Sequence, residues 1–164
     1  MLIALGQAIR LFRSDERGGA MVEATLVVPF VLLLSAGVFE FSNVLNKRLL
    51  LEAGVEDAAR YMARCNDSTW NNCVTLGKNL AVNGAISGGS ARVPGWTIAQ
   101  VTVAKTSLAA VDGGGKQLYL SSTGTVDVVQ VSTSLPYSGV GLLGLIGITA
   151  ISIDASHQER VFGW

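Results

Sequence analysis

The sequence predicts an α+β fold. It reads as a long N-terminal helix, hydrophobic first and amphipathic later, followed by a short second helix and an antiparallel sheet of about three or four strands. Three observations lead there. Between Glu23 and Glu40 no charge appears, and the run is rich in Val, Leu and Phe. Helical periodicity then continues through Val44, Leu51, Val55, Ala58, Ala59 and Met62. After Pro94 the pattern turns to alternation, with no helical stretch between the alternating segments.

The chain has 164 residues, enough for an anchor and one domain. With 49% hydrophobic residues, 15% charged residues and a formal net charge of zero, it has neither the basic face of a nucleic-acid binder nor the composition of a disordered chain. Its glycines follow no period, which excludes collagen and repeat arrays.

The first residues, Met1 to Phe12, are mildly amphipathic and fit either a short helix on the inner membrane surface or a floppy leader. The charged stretch Arg13-Ser14-Asp15-Glu16-Arg17 follows, and Gly18-Gly19 is expected to break it from the helix. From Ala20 to Phe41 the chain is just long enough for a span, which needs ~20 apolar residues with ~17 as a lower limit. Pro29 and Gly37 would disturb a soluble helix but are tolerated in membranes. A cleaved secretory signal competes with a signal-anchor, since Ser35-Ala36-Gly37 offers a small-x-small site. Glu23 at the head of the run and apolar residues continuing to Phe41 favour the anchor. Arg10, Arg13 and Arg17 before the run, against Lys47 and Arg48 after it, lean toward a cytoplasmic N-terminus. A carboxylate in such a segment costs ~2.5–3.5 kcal/mol near the helix centre and less near its ends, so Glu23 is a candidate functional residue.

One helix is expected from about Ala20 to Arg64, ~65 Å long, with Glu56 and Arg60 paired at i,i+4 and Gly54 weakening it by ~1 kcal/mol. Cys65 and Cys73 flank a polar loop. No second Cys/His pair accompanies them, which argues against zinc; a disulfide suits an exported protein, and two free thiols are the alternative. Asp67 or Ser68 is the expected cap of the second helix, Cys73, Leu76 and Leu80 its buried face, and Asn83-Gly84 its stop. Ser87-Gly88-Gly89-Ser90 reads as a linker and Asp112-Gly113-Gly114-Gly115 as a turn.

The expected strands cover Ala99 to Val103, a short piece at Leu118 to Leu120, Val126 to Leu135 and Ile151 to Ser156. A phase slip between Val128 and Val129 suggests a bulge. Before the last strand runs a glycine-rich apolar segment containing Tyr137, Val140, Leu142, Leu143, Leu145 and Ile146. It is too short for a second span. It reads as a loop folded over its own sheet, or as an exposed patch that docks a partner or the membrane surface. The sole histidine, His157, lies near Asp154, but no G-x-S-x-G or comparable motif frames them, so no catalytic residue, metal or cofactor is expected.

The stretch Arg17-Gly18-Gly19-Ala20-Met21-Val22-Glu23-Ala24, with Leu26-Val27-Val28-Pro29-Phe30 and Gly37-Val38-Phe39-Glu40-Phe41, resembles the TadE-like pseudopilins, minor pilins of the Flp (tight adherence) type IV pilus. Members often carry an aromatic residue where this chain has Ala24. The resemblance implies a pilin-like fold and cleavage by an inner-membrane prepilin peptidase between Gly18 and Gly19. It makes Glu23 the fifth mature residue, which would pair with the new amine of a neighbouring subunit and set axial register. It implies a leader over 1–18, a membrane helix over 19–42 and a periplasmic α+β domain over 43–164. The expected partners are the inner membrane, the peptidase, a sister minor pseudopilin, the major pilin and the assembly platform, with no nucleic acid. The expected location is the inner membrane or the extracellular pilus, and the expected roles are assembly initiation at the tip and surface adhesion. The alternative is an uncleaved single-pass protein whose periplasmic domain binds a partner.

Overall fold

Helix α1, Glu16–Met62, is one element of 47 residues. In this computed structural model, residues 16–118, 124–137, 147 and 151–162 are described. The chain divides into two units, Met1–Phe41 and Ser42–Trp164. In the first, α1 runs helically through Gly18-Gly19 instead of starting after them. Each glycine costs ~1 kcal/mol in a helix, but extending a formed helix gains one hydrogen bond per residue and nothing at either glycine opposes it. Pro29 lies inside the helix, and the Thr25 and Ser35 hydroxyls donate back to the Met21 and Val31 carbonyls at 2.7 and 2.8 Å.

The second unit is a helical layer on one sheet. Helix α2 is Trp70–Asn83, and the strands are β1 Val101–Ala109, β2 Thr125–Pro136 and β3 Ser152–Arg160. The sheet is antiparallel in the order β1-β2-β3. Val129, Val131 and Leu135 of β2 are buried, together with Val101 of β1 and Ile153 and Ala155 of β3. They form one core with Leu51, Val55, Ala58, Ala59 and Met62 of α1. That is the stripe which the helical spacing predicts.

Trp96 sits at the centre of this core, 2% exposed. Its Nε1 donates to Thr133 Oγ1 at 2.9 Å, and that hydroxyl donates on to the Gln100 carbonyl at 3.0 Å. The ring lies against Gly54: a Cβ there would stand 2.6 Å from the indole and 2.5 Å from the Ala81 carbonyl oxygen. Gly54 is thus a notch for the ring and for α2. The face of α2 that is buried is Cys73, Gly77, Ala81 and Val82, not Cys73, Leu76 and Leu80. The small residues turn inward because a Cβ at position 77 would already meet Met62 Sδ at 3.1 Å.

Other local differences have similar causes. A 3₁₀ turn, Asp67–Thr69, capped by Asn66, precedes α2, so the N-cap of α2 is Thr69, without a side-chain cap bond, rather than Asp67 or Ser68. Gly84 stops α2 as expected, with φ 71° and its N–H on the Leu80 carbonyl. Ala99 is exposed in a second 3₁₀ turn, and β1 begins at Val101. No bulge interrupts β2, whose pairing runs without a slip from Val101↔Thr133 to Ala109↔Thr125. The apparent slip is in burial: Val126 is buried from the other face, beyond Val128, where pairing with β3 ends. At that end the β1–β2 connection folds back, with hydrogen bonds from Ala110 N to Gly124 O and from Leu118 N to Ala110 O. The Asp112 turn forms, its carboxylate accepting from the N–H groups of Gly114 and Lys116. Of the short piece at Leu118 to Leu120, only Leu118 is described, in a bend; residues 1–15 of the expected leader over 1–18 also lie outside the described residues.

Gly54→Ala is expected to destabilise the protein by about 2 kcal/mol, because overpacking outweighs the ~1 kcal/mol gain in helix propensity. Chemical denaturation of the full chain in detergent reads this. An increase in stability would show that the Trp96 notch can relax.

Candidate assembly and anchoring surface

The apolar half of α1 is uncovered in the isolated subunit. Met21, Leu26, Phe30, Leu33, Phe39 and Phe41 are all exposed. One 18-residue window has a mean hydropathy of 2.1 with none of it buried, so the helix is long and apolar enough to cross a membrane. Burying a single side chain of this kind is worth ~1.5–3 kcal/mol, so covering this surface with other apolar groups would be favourable.

Gly18, Gly19 and Glu23 all lie on α1 and are exposed. Gly19 and Glu23 are one helical turn apart, ~6 Å along the axis. They therefore share a face near the start of the helix, where a carboxylate is favoured by the helix dipole. Glu40, at the other end of the uncharged run, is 2% exposed and engaged.

Just beyond, at the start of the second unit, Asn43 Nδ2 donates to Tyr137 Oη at 3.2 Å and Lys47 Nζ stands 4.7 Å from the Tyr137 ring centroid. Tyr137 N donates to the Ile151 carbonyl at 2.8 Å, closing the base of the apolar connection. Of the predicted docking residues only Tyr137 is described; Val140, Leu142, Leu143, Leu145 and Ile146 lie outside the described residues. The i,i+4 spacing of Asn43 and Lys47 was the sequence signal for this contact, since it puts both on one face of α1.

At the far end of the sheet, Cys65 and Cys73 form a disulfide that ties the end of α1 to the start of α2. Next to it Lys105 Nζ pairs with Asp67 and, at 3.2 Å, with Asp127, and stands 4.9 Å from the centre of the Trp70 ring. The Ser107 hydroxyl donates to Asp127. The Asp67 carboxylate chiefly raises the Lys105 pKa, helped by Asp127 and opposed by partial burial. The Ser107 hydroxyl chiefly holds the Asp127 carboxyl below its ordinary range, against burial and with help from Lys105. This clamp is invisible in sequence because its members are scattered over a loop and two strands.

His157 Nε2 is 3.1 Å from Glu159 Oε1. Asp154 is an odd number of residues away on the same strand and projects to the other face, so the two form no dyad. A wide-open groove of about 520 Å³ is lined by polar side chains that include Arg48, Glu52, Thr102, Ser134 and Asp154. Arg48 there is already paired with Glu52 at 2.8 Å. Among the described residues no cluster of three or more His, Cys, Asp or Glu is placed to hold a metal.

Residues 18–60 match the family model described as TadE-like protein, the family whose motif the sequence resembles. The match covers nearly all of α1 and stops before the disulfide and the sheet. The similarity to the TadE-like family therefore rests on this one segment. No curated protein and no solved structure matches the chain.

The clamp makes stability pH-dependent at both extremes. Asp127 has a depressed folded pKa, so its contribution is present above the unfolded value near pH ~3.9 and is lost as pH falls through the lower folded value. Lys105 has a raised folded pKa, so its contribution is complete below pH ~10.4 and is lost as pH rises through the folded value. Asp127→Asn is expected to lower stability at pH 7, with the difference from the native chain narrowing below about pH 4. Denaturation midpoints of both proteins across pH check this, and a difference that stays constant down to acid pH would contradict it.

Proposed function

We infer, starting from the TadE-like match of residues 18–60, that this chain is a minor pseudopilin of a Flp/Tad (tight adherence) type IV pilus. The observation that carries the reading is the bare apolar half of α1, with Glu23 as its one charge between Gly19 and Phe39. A soluble protein would cover such a surface. A filament subunit keeps it for lipid before assembly and for neighbouring helices afterwards.

In this reading the helix anchors the protein in the inner membrane, with the N-terminus cytoplasmic and residues 43–164 in the periplasm. The disulfide is in keeping with that oxidising space. Prepilin peptidase cuts between Gly18 and Gly19, releasing the leader and creating an ammonium group at Gly19. Cleavage breaks one peptide bond with water, leaving a carboxylate on Gly18. The assembly platform then moves the subunit into a bundle with a sister pseudopilin and the major pilin. There Glu23 meets the Gly19 amine of a neighbour, and the pair offsets the burial of both charges. Its place is at the start of the pilus or its tip, with surface adhesion as the outcome for the cell. No step calls for chemistry by this chain itself.

A second reading has one observation in its favour. The helix passes unbroken through Gly18-Gly19, whereas a peptidase needs an extended site. An uncleaved single-pass protein with a partner-binding periplasmic domain would keep that helix intact. For cleavage, the first turn has to unwind, and two glycines make this the easiest part of α1 to open.

The mature N-terminus separates the two. Protein from cells with the peptidase is expected to begin at Gly19, and protein from cells without it to retain the leader. The same start in both would overturn processing. Removing one partner of a buried ion pair costs ~3–5 kcal/mol, so Glu23→Ala is expected to abolish fibres while membrane insertion stays normal. Fibre counts by electron microscopy, with membrane fractionation as the control, check this.

A further inference from the structure

We propose that the Cys65–Cys73 disulfide is a redox latch on the first half of α2: when it is reduced, residues 66–76 open while the rest of the second unit stays folded. The inference concerns the second unit alone and does not rest on the pilus reading.

Helix α2 begins without the devices that usually start a helix. Its N-cap residue, Thr69, makes no side-chain cap bond, and its first turn carries no acid. Its opening residues, Trp70-Asn71-Asn72-Cys73-Val74-Thr75, all rank below Ala, Leu, Arg, Met, Lys, Gln and Glu in helix propensity. A 14-residue helix that starts in this way does not hold in water by itself. Packing has to hold it, and in the first half the fully buried residue is Cys73. The second half is different. Gly77, Ala81 and Val82 are buried there, a Cβ at position 77 would meet Met62 Sδ at 3.1 Å, and the helix closes with Gly84 N–H on the Leu80 carbonyl. Contacts along its length hold that half. One covalent bond, and Lys105 standing over the Trp70 ring and paired with Asp67, hold the other.

Lys105 is the weaker of these two holds. The Asp67 side chain is 85% exposed, and an ion pair to so wet a partner contributes little. Lys105 also has a second carboxylate, Asp127 on β2, at 3.2 Å, so its charge stays paired when the loop departs. Cys65, at the other end of the bond, follows α1 directly and is better fixed. Its N–H donates to the Met62 carbonyl at 3.0 Å, and Phe162 N donates to the Ala63 carbonyl at 2.6 Å. The side that yields is therefore α2.

Reduction takes a dithiol. One of its thiolates attacks a disulfide sulfur, the S–S bond breaks, and the second thiol resolves the mixed disulfide. Cys65 and Cys73 gain the two electrons and two protons as free thiols, and the dithiol leaves as its own disulfide. Two thiol sulfurs cannot stay at bonding distance, so they push apart inside a packed core. Each cysteine is 7% exposed, so the dithiol reaches the bond when the start of α2 opens, and opening and reduction favour each other. A chain not yet oxidised would carry an open segment around Trp70 that a protease can reach, which sets it apart from a finished one.

Amide hydrogen exchange of the full chain in detergent, read by mass spectrometry before and after treatment with dithiothreitol, tests this. Exchange over residues 66–76 is expected to rise by about tenfold or more on reduction, and exchange over 51–62 and 126–135 to stay within about twofold. The double variant Cys65→Ser, Cys73→Ser is expected to give the same local pattern with no reductant present. Asp67→Asn in the oxidised chain is expected to leave 66–76 within about twofold, because the covalent tie remains. Unchanged exchange over 66–76 in the double variant overturns the latch, since packing alone then holds α2. A rise of equal size in all three regions also overturns it, because the bond is then a staple of the whole unit. So does an Asp67→Asn chain that opens as widely as the reduced one, which would make Lys105 the hold.

Discussion

The second unit depends on how Trp96 is seated. Its ring fills the notch that Gly54 leaves in α1, and its N–H reaches Thr133 in the central strand. One side chain thereby fixes the distance between helix and sheet. The same notch admits the Ala81 backbone, so α2 is placed by it too. Thr133 is one of the few polar residues in the core, and its hydroxyl is fully used: it accepts from the indole and donates to the Gln100 carbonyl. An unpaired hydroxyl at that depth would cost ~1–3 kcal/mol, so the polar pair fixes the orientation of the ring as well as its place.

Around that centre the ties are spread toward the two ends of the sheet. At one end the disulfide, the Lys105 clamp and the hydrogen bond from Phe162 N to the Ala63 carbonyl join the last turn of α1 to the sheet and to α2. At the other, Asn43 and Lys47 hold Tyr137. The loop between α2 and Trp96 is held by Arg92, which pairs with Asp57 at 2.6 Å and shields the end of α2. Exposed helix pairs such as Arg48–Glu52 add little, typically ~0–1 kcal/mol. Chain-entropy arithmetic gives a disulfide closing so short a loop roughly 2.5 kcal/mol, so it outweighs any one of them.

What was legible in the sequence was periodic. The stripe from Leu51 to Met62 and the alternation of β3 follow from burial on one face, which repeats and so leaves a pattern. The cysteine pair was legible from its isolation, the disulfide being the pairing expected if the chain is exported. What was not legible depended on absence or on distance. Gly54 reads as a defect in a helix until the ring that occupies its missing side chain is known. Gly77 was passed over for Leu76 and Leu80 because hydrophobic size was taken as the sign of burial, whereas close helix packing selects small residues. Trp96 stands between two irregular segments with no period around it. In the candidate site, the Gly18, Gly19 and Glu23 spacing was readable, but the helical state of the glycines was not, since their propensity argues against it.

The two halves of α1 face the same problem and solve it in opposite ways. From Leu51 to Met62 the apolar stripe is covered by the chain's own sheet and second helix, so that unit is complete in itself. From Met21 to Phe39 the large apolar side chains stay exposed among the described residues. A protein built only to sit in a membrane would have no use for a carboxylate within that bare stretch. One built only to be soluble would not retain the stretch at all. Glu23, the one charge between Gly19 and Phe39, thus stands a turn from a glycine pair in an exposed apolar stretch, whereas the second unit buries its own apolar stripe.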